Sequence, residues 1–405
     1  GRQAAYSNTT GEQNLALGGL AFYTNTTGSY NVALGMESLK ANTTSSNNVA
    51  VGFRALYSMS STGDANKSTA VGYQAGYNST HNVDAFGSQA LYSNTTGVLS
   101  VAIGREALYS NTTASNNTAV GYQAGYSTTT GTQNVVMGRG AMHSNSTGSY
   151  NVGLGYEALV NNTTASNNTA IGYQALYSNT TASGNVAIGT NAGKVSTTAI
   201  NGVFVGSSAG TTVTTGNDNT CIGYLTGYAG NGANKLTTGY GNILLGSSSN
   251  VAATNNYYSI VIAGNGSTGK GSATGFISPG AGGVYQGNNS SSWSTTSDRR
   301  LKKNIVDSTI GLAEINQLQV RNFEYRTVDE VTELEDHTVI EKSGVQVGVI
   351  AQEIQAILPN CVKEESTGVL SVDPDNLTWH LIKAVQELSA TNDALTARIT
   401  ALEGA

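Results

Sequence analysis

The feature that most constrains this chain is a short motif, N-[VT]-A-[VI]-G, whose variants recur along residues 1–246. Fourteen copies end at a glycine, and from Gly87 to Gly223 eight consecutive steps are each 17 residues long. Steps of 20 and 15 residues flank Gly72, and the last step, to Gly246, is 23 residues. A fixed period over so many copies indicates a solenoid in which each copy forms one turn.

Each copy contains a single short alternating segment, such as residues 101–103 (VAI), followed by glycine and a turn rich in Ser, Thr and Asn. Alternation bounded by turn-forming residues is typical of a β-strand, so we predict a mainly β fold built as a parallel β-roll or β-prism. The inward positions are Ala and Gly, which predicts a thin coil that needs partner chains to complete its interior. The segment 259–266 (SIVIAGNG) is predicted to form a last coil, and 278–296 a loop-rich neck.

Three side-chain rows are candidates for function in the repeat. Tyrosines five residues after the glycine fall in one column, and they are either a glycan-stacking strip or, more simply, a stabilising ring ladder; the members considered for glycan stacking are Tyr92, Tyr109, Tyr126 and Tyr177. The second row is formed by glutamates two residues after the glycine that closes the motif; they are Glu37, Glu106 and Glu157. These residues lie in well-separated turns, so within one chain they do not form the carboxylate pair that a glycosidase needs.

Asparagines seven residues after the glycine are formal glycosylation acceptors, but their place in N-T-T turns favours hydrogen bonds to the local backbone; these are Asn25, Asn94, Asn111, Asn162 and Asn179.

Charge divides the chain at residue 297. Residues 1–296 hold seven acidic and nine basic residues, a net charge of +2, whereas 297–405 hold eighteen and ten, a net charge of −8. This break predicts a domain boundary, and neither part is basic enough to indicate nucleic-acid binding. Two cysteines in different parts predict neither a disulfide framework nor a metal site, and no cofactor or membrane-spanning segment is predicted. The start at Gly1 suggests a piece of a longer native chain.

The motifs NVAIG and NTAVG resemble the head repeats of trimeric autotransporter adhesins, which form a left-handed parallel β-roll in a trimer. Those heads have a shorter repeat, so the resemblance is to the strand motif. It implies a trimeric solenoid.

From residue 297 the sequence reads SDRRLKKNI (297–305), and this segment resembles the start of the intramolecular chaperone domain of phage endosialidase tailspikes and tail fibres, a self-cleaving serine peptidase family. The pattern S-D-x-R-L-K-x-x-I is matched by Ser297, Asp298, Arg300, Leu301, Lys302 and Ile305. Further matches are FEYR (323–326), GVIAQEIQAILPNCV (348–362) and LSVDPDNLTWHLIKAVQEL (370–388).

The resemblance implies a Ser/Lys dyad that cleaves the bond between Thr296 and Ser297. Ser297 is then the nucleophile and Lys302 the base, because a hydroxyl needs a nearby group to take its proton, and a lysine can do so where burial lowers its pKa. Asp298 and Arg300 are expected to organise the site. Lys303 is the competing base, and His337 and His380 are expected to be structural.

The chain ends in a heptad pattern, which predicts a coiled coil with one Asn in its seam; the seam residues are Leu381, Val385, Leu388, Asn392, Leu395, Ile399 and Leu402. The predicted domains are therefore a solenoid (1–246), a last coil with a neck (247–296), a chaperone and peptidase domain (297–380) and a trimeric coiled coil (381–405).

These features predict a homotrimeric segment of a phage tail fibre or spike, made in the host cytoplasm and extracellular in the virion. Its partners would be upstream virion or fibre proteins and a glycan or protein of the host surface. Two alternatives remain: a cellular surface adhesin or filament that uses the same chaperone, and a polysaccharide-degrading tailspike.

Overall fold

One three- or four-residue strand per turn builds the first part of the protein. A computed structural model describes residues 1–60, 67–228, 235–264, 266–280, 282–286, 294–295, 297–332, 340, 342–365 and 368–404. The chain divides into two compact units, Gly1–Thr296 and Ser297–Ala405. In the first unit fifteen strands pair in sequence order into one parallel sheet. They are β1 (Leu15–Leu17), β2 (Val32–Leu34), β3 (Val49–Val51), β4 (Thr69–Val71), β5 (Val83–Phe86), β6 (Ser100–Ile103), β7 (Thr118–Val120), β8 (Val135–Met137), β9 (Val152–Leu154), β10 (Thr169–Ile171), β11 (Val186–Ile188), β12 (Val203–Val205), β13 (Thr220–Ile222), β14 (Ile243–Leu245) and β15 (Ile260–Ala263).

The predicted parallel β-solenoid is therefore confirmed, and β15 lies in the segment 259–266 that was predicted to form a last coil. Residues 278–286 differ from the predicted loop-rich neck. There β16 (Gly275–Gly280) pairs parallel with β15, and β17 (Gly282–Gln286) returns antiparallel to β16 and pairs with the two-residue β18 (Ser294–Thr295). The sheet thus continues past the last turn because the Gly-rich stretch can reverse direction tightly.

The interior of each turn is filled by small and medium side chains of the same chain. In the turn that begins at Asn168 the buried residues are Asn168, Ala170, Ala175, Leu176, Asn179 and Ala182. The strand pairings of β1–β15 likewise join neighbouring turns of one chain. The expectation that partner chains complete the interior is therefore wrong. It took only the small residues Ala and Gly as inward-facing, whereas Leu and Asn side chains also point inward and fill the space.

The glycine that closes each strand allows the turns to lie directly on one another. At Gly189 φ is +133°, and a Cβ added there would lie 2.6 Å from the carbonyl oxygen of Gly206 in the next turn. No side chain fits this approach, and the φ value disfavours every residue except glycine. This explains why the repeat keeps a glycine at a position that carries no chemistry.

Two rows of buried asparagines run through the interior. In the row four residues before the glycine, the Oδ1 of Asn134 accepts from the backbone N–H of Asn151 at 2.9 Å. In the row seven residues after it, Asn162 Nδ2 donates to Asn145 Oδ1 at 2.9 Å and to the carbonyl of Ala165 at 3.0 Å. The five formal glycosylation acceptors are members of this second row and are fully buried, in agreement with the backbone-bonding interpretation.

The second asparagine row is interrupted wherever another residue takes its place. The Oδ1 atoms of Asn42, Asn111 and Asn179 are buried without a hydrogen-bond partner among the described residues. One turn further on, the same positions hold Met59, Thr128 and Ser196. Each interruption leaves an acceptor desolvated, which costs free energy.

The second unit is small and mixed. Its elements are α1 (Leu312–Ile315), β19 (Arg321–Phe323), β20 (Gln346–Gly348), α2 (Ala351–Ile357), β21 (Val362–Glu364), β22 (Leu370–Val372) and α3 (Pro374–Glu403). β19 pairs with β20 and β21 with β22, both antiparallel. Helix α3 begins at Pro374, capped by the Asp373 carboxylate, which accepts from the N–H groups of Asp375 and Asn376. The helix thus starts before residue 381, where the coiled coil was predicted to begin.

We predict that Thr128→Asn stabilises the solenoid. An asparagine there can donate to the unpartnered Oδ1 of Asn111 and accept from Asn145, which joins two interrupted rows. A satisfied buried acceptor is worth about 1 kcal/mol, and for a unit of this size the melting temperature would rise by about 2 °C. Thermal unfolding of the full chain, followed by circular dichroism, measures the shift. The matched control is Thr130→Asn on the exposed part of the same turn; a Thr128→Asn melting temperature at or below that of the control would contradict the prediction.

Candidate functional site

A tight turn at the start of the second unit brings Ser297 and Lys302 together. Residues Arg299–Leu301 form one turn of 3-10 helix, and the backbone N–H of Lys302 closes it by donating to the Arg299 carbonyl. This turn folds the lysine side chain back, so that Nζ lies 2.7 Å from the Oγ of Ser297. The distance is within the range that proton transfer between the two atoms requires.

Asp298 and Arg300 fix the same turn. The Asp298 carboxylate accepts from the backbone N–H of Arg300 at 2.8 Å, which caps the 3-10 turn. It also forms an ion pair with the Arg300 guanidinium at 2.6 Å. The guanidinium, followed by the Arg300 N–H, lowers the pKa of Asp298, and the same ion pair raises the pKa of Arg300. Both groups are therefore charged at neutral pH and hold the backbone between the serine and the lysine.

The described residues of one chain leave Ser297 and Lys302 exposed. A lysine acts as a base only after it loses its proton, and burial promotes that loss. The turn thus places the serine and the lysine close together, whereas burial of the lysine requires further packing around the turn. Thr296, on the other side of the predicted scissile bond, lies outside the described residues.

The other candidates in the second unit have structural surroundings. His380 is buried, and its Nε2 lies 3.2 Å from the Nδ2 of Asn360, in keeping with its predicted structural role. His337 lies outside the described residues. Lys303 is exposed and makes no hydrogen bond to Ser297 in the part of the chain that is described.

From Tyr57 to Tyr126 the tyrosine column of the solenoid is a continuous stack of rings. Tyr92, Tyr109 and Tyr126 lie with centroids 5.1 Å apart and planes within 5° of parallel. Each inner ring therefore has both faces covered by neighbouring rings, and its edge points to solvent. This arrangement favours the stabilising role of the ladder over glycan stacking on ring faces.

The ladder ends differently from the prediction. Its last ring is His143, stacked 5.0 Å from Tyr126, and counting five residues from Gly138 would have found it. Tyr177 is separated from the stack because Val160 occupies the column in the turn between. The ammonium group of Lys194 instead lies over the Tyr177 ring, 5.8 Å from the ring centroid.

The glutamates of the repeat are bound to side chains of neighbouring turns. Glu106 accepts from Gln123 Nε2 at 2.7 Å, and Glu157 accepts from Gln174 Nε2 at 2.8 Å. Glu37 is paired with Lys40 and Arg54, which lower its pKa. Each glutamate thus has a local structural partner.

Sequence comparison finds a family match at the start of the second unit. Residues 297–363 match the family described as chaperone of endosialidase. The chain is also 31% identical over 103 residues to "Myelin regulatory factor homolog 1" of Caenorhabditis elegans, an alignment that covers 25% of this chain and 11% of that protein. The matched segment begins at Ser297 and includes Lys302, so the predicted architecture of a β-solenoid followed by this chaperone domain is confirmed.

None of the described helices combines the length and the apolar character that a membrane crossing requires. Within the same residues there is no cluster of three or more His, Cys, Asp or Glu side chains suited to a metal ion.

The two cysteines provide a test of the packing. Cys221 lies on the inner face of β13, fully buried, and burial raises the pKa of its thiol to about 12; burial also raises the pKa of Cys361. Because the thiolate is the reactive form, we predict that neither residue is alkylated by iodoacetamide at pH 8 in the native protein. Both should react in guanidinium, which serves as the control. Peptide mass spectrometry measures the labelling, and native labelling of Cys221 at the denatured rate would contradict the buried placement.

Proposed function

We propose that this chain is a trimeric fibre segment of the phage tail-fibre or tailspike type, assembled by a C-terminal chaperone that then cleaves itself off. The observation that carries the proposal is the 2.7 Å pair of Ser297 and Lys302 at the first residues of a segment that matches the endosialidase chaperone family.

In the proposed cleavage, Ser297 Oγ attacks the carbonyl carbon of Thr296 while Lys302 takes the hydroxyl proton. The C–N bond between the two residues breaks, the proton passes to the amine of Ser297, and an ester joins Thr296 to the Ser297 oxygen. Water hydrolyses the ester and leaves a carboxylate at Thr296. Three chains packed around this turn would bury the lysine, which ties cleavage to assembly.

An exposed apolar stripe along the solenoid supports assembly with copies of itself. The middle residue of each strand points inward, and the flanking residues point outward. Many of these outward residues are large and apolar, and because the register is in phase from turn to turn they form two rows, one before and one after the inward residue. The exposed members include Leu17, Val71, Phe86, Ile103, Val135, Met137, Ile188, Ile222, Ile243 and Ile262. An apolar surface that follows the whole sheet is typical of an interaction site.

The second unit also lacks a sufficient interior of its own. Its hydrophobic cluster contains three buried residues, Ile354, Leu358 and Cys361, with partly buried neighbours. The seam residues of α3 are exposed, for example Val385 at 58% and Leu388 at 54%. A helix of this length, with an unpartnered apolar seam, is expected to form a coiled coil with other copies.

The proposed place of the fibre is the virion, outside the host cell, where upstream virion proteins hold one end and a host glycan or protein binds its surface. This part rests on the kind of protein that the chaperone family serves. A cellular adhesin with the same chaperone remains the alternative. The polysaccharide-degrading alternative has less support, because the glutamates of the repeat are bound to neighbouring side chains.

Cleavage is tested by mass spectrometry of the purified protein. We expect the wild-type chain to yield a fragment that ends at Thr296, whereas Ser297→Ala and Lys302→Ala remain intact, because the first lacks the nucleophile and the second the base. Lys303→Ala is the matched control and should be cleaved normally. An uncleaved, full-length chain in all four proteins would refute the proposed peptidase and leave the second unit as a permanent trimerisation domain.

Trimerisation is tested in the Ser297→Ala background, which keeps α3 attached. We expect light scattering to give three times the chain mass, and Leu388→Glu to lower it, because three carboxylates would be buried in the seam. Ala397→Glu, on the opposite side of the helix, is the control and should remain a trimer. A monomeric parent protein would rule out the proposed assembly.

A further inference from the structure

Turn eight of the solenoid differs from turn seven at three positions that line one cleft. Where turn seven has Tyr122, Gln123 and Tyr126 and turn ten has the same three residue types, turn eight has Arg139, Gly140 and His143. His143 and Arg139 still contact rings of the adjacent turns, whereas Gly140 contributes no side chain to its column.

Gly140 interrupts the row of side chains that bind from turn to turn. Gln123 reaches down to Glu106 and Gln174 reaches down to Glu157, but no side chain extends between Gln123 and Glu157. A Cβ added to Gly140 would meet one atom within 4 Å, the Cγ of Glu157 at 3.7 Å. The missing side chain therefore leaves open space on the surface.

This space is a cleft of about 120 Å³, lined by Tyr122, Gln123, Arg139, Gly140, His143, Glu157 and Val160. It has the volume of about four liquid water molecules. It is large enough for one edge of a small molecule.

The groups around the cleft are held in place. The Arg139 guanidinium lies between the rings of Tyr122 and Tyr156, at 5.9 and 5.3 Å from their centroids, and donates to the Tyr156 hydroxyl at 2.7 Å. His143 is fixed by its stack on Tyr126. A ligand entering the cleft would therefore meet donors and acceptors that are already ordered, which lowers the entropic cost of binding.

We propose that this cleft binds one edge of a neutral hexopyranose. Arg139 and His143 supply donors, and the Glu157 carboxylate supplies an acceptor. Val160 supplies apolar surface together with the edge of the Tyr122 ring, over which the guanidinium groups of Arg105 and Arg139 lie. The opposite charges of Arg139 and Glu157 offset each other, so neither an anion nor a cation is favoured. Vicinal hydroxyls both donate and accept, which fits a mixed set of this kind. The inference rests on the proposed attachment role and gives it a position and a ligand class.

The test uses saturation-transfer NMR with the full-length protein and the methyl glycosides of glucose, galactose, mannose and N-acetylglucosamine. We expect at least one to bind with a Kd of about 1 mM, at the weak end of the affinity scale. Gly140→Gln should weaken binding about tenfold or more, because it refills the cleft with the side chain that other turns carry. Gln123 and Gln174 adopt the same positive φ, so the substitution fits the backbone.

The matched control is Asn191→Gln, in the same column three turns away, which should leave binding unchanged. Arg139→Ala is a second variant, and its exposed side chain can be removed without disturbing the interior. Absence of binding by all four glycosides, binding that both cleft variants leave intact, or selective binding of N-acetylneuraminic acid would each overturn the inference. Cleavage and trimer mass, measured on the same samples, test the proposed function separately.

Discussion

Everything in the solenoid depends on one backbone lying directly on the next in phase. The glycine after each strand lets a carbonyl of the next turn approach a point where any Cβ would collide. Once this contact fixes the spacing, every side chain lies over the same residue type one turn away. The asparagine rows, the ring ladder and the glutamine–glutamate pairs all follow from that alignment.

The same alignment requires unfavourable backbone conformations. In turn ten, Gln174 and Leu176 both have φ near +50°, as do the matching residues of most other turns. Such values cost about 1 kcal/mol or more for a residue other than glycine. These conformations are kept because they orient backbone N–H groups toward a neighbouring turn. The N–H of Leu176, for example, donates to the carbonyl of Ala192 in the next turn at 3.0 Å. A single turn could not offset this cost, so stability depends on neighbours on both sides.

How far the sequence predicts this structure differs between its parts. Period, strand position and sheet direction follow from the spacing of residues such as Gly172 and Gly189. The pairing of Ser297 with Lys302 follows from a motif and a short separation. The interior could not be predicted from the repeat, because buried Asn179 and exposed Thr181 are both polar and only the path of the turn separates them. Nor could the cleft at Gly140, since the strand-closing glycines such as Gly189 mark close backbone contact, whereas Gly140 marks a missing side chain.

The regularity of the solenoid suggests why such a chain would need a chaperone. The strands pair within one chain, between turns that are close in sequence, so the solenoid itself does not require partners to form its sheet. In the proposed trimer, however, the apolar stripes would present similar residues in each successive turn, so an arrangement shifted by a whole turn would bury almost as much surface. Such shifted arrangements would differ little in energy from the aligned one. A clamp at one end, whose sequence does not repeat, would define a single register before the stripes meet, and cleavage after assembly would then make the aligned state difficult to reverse.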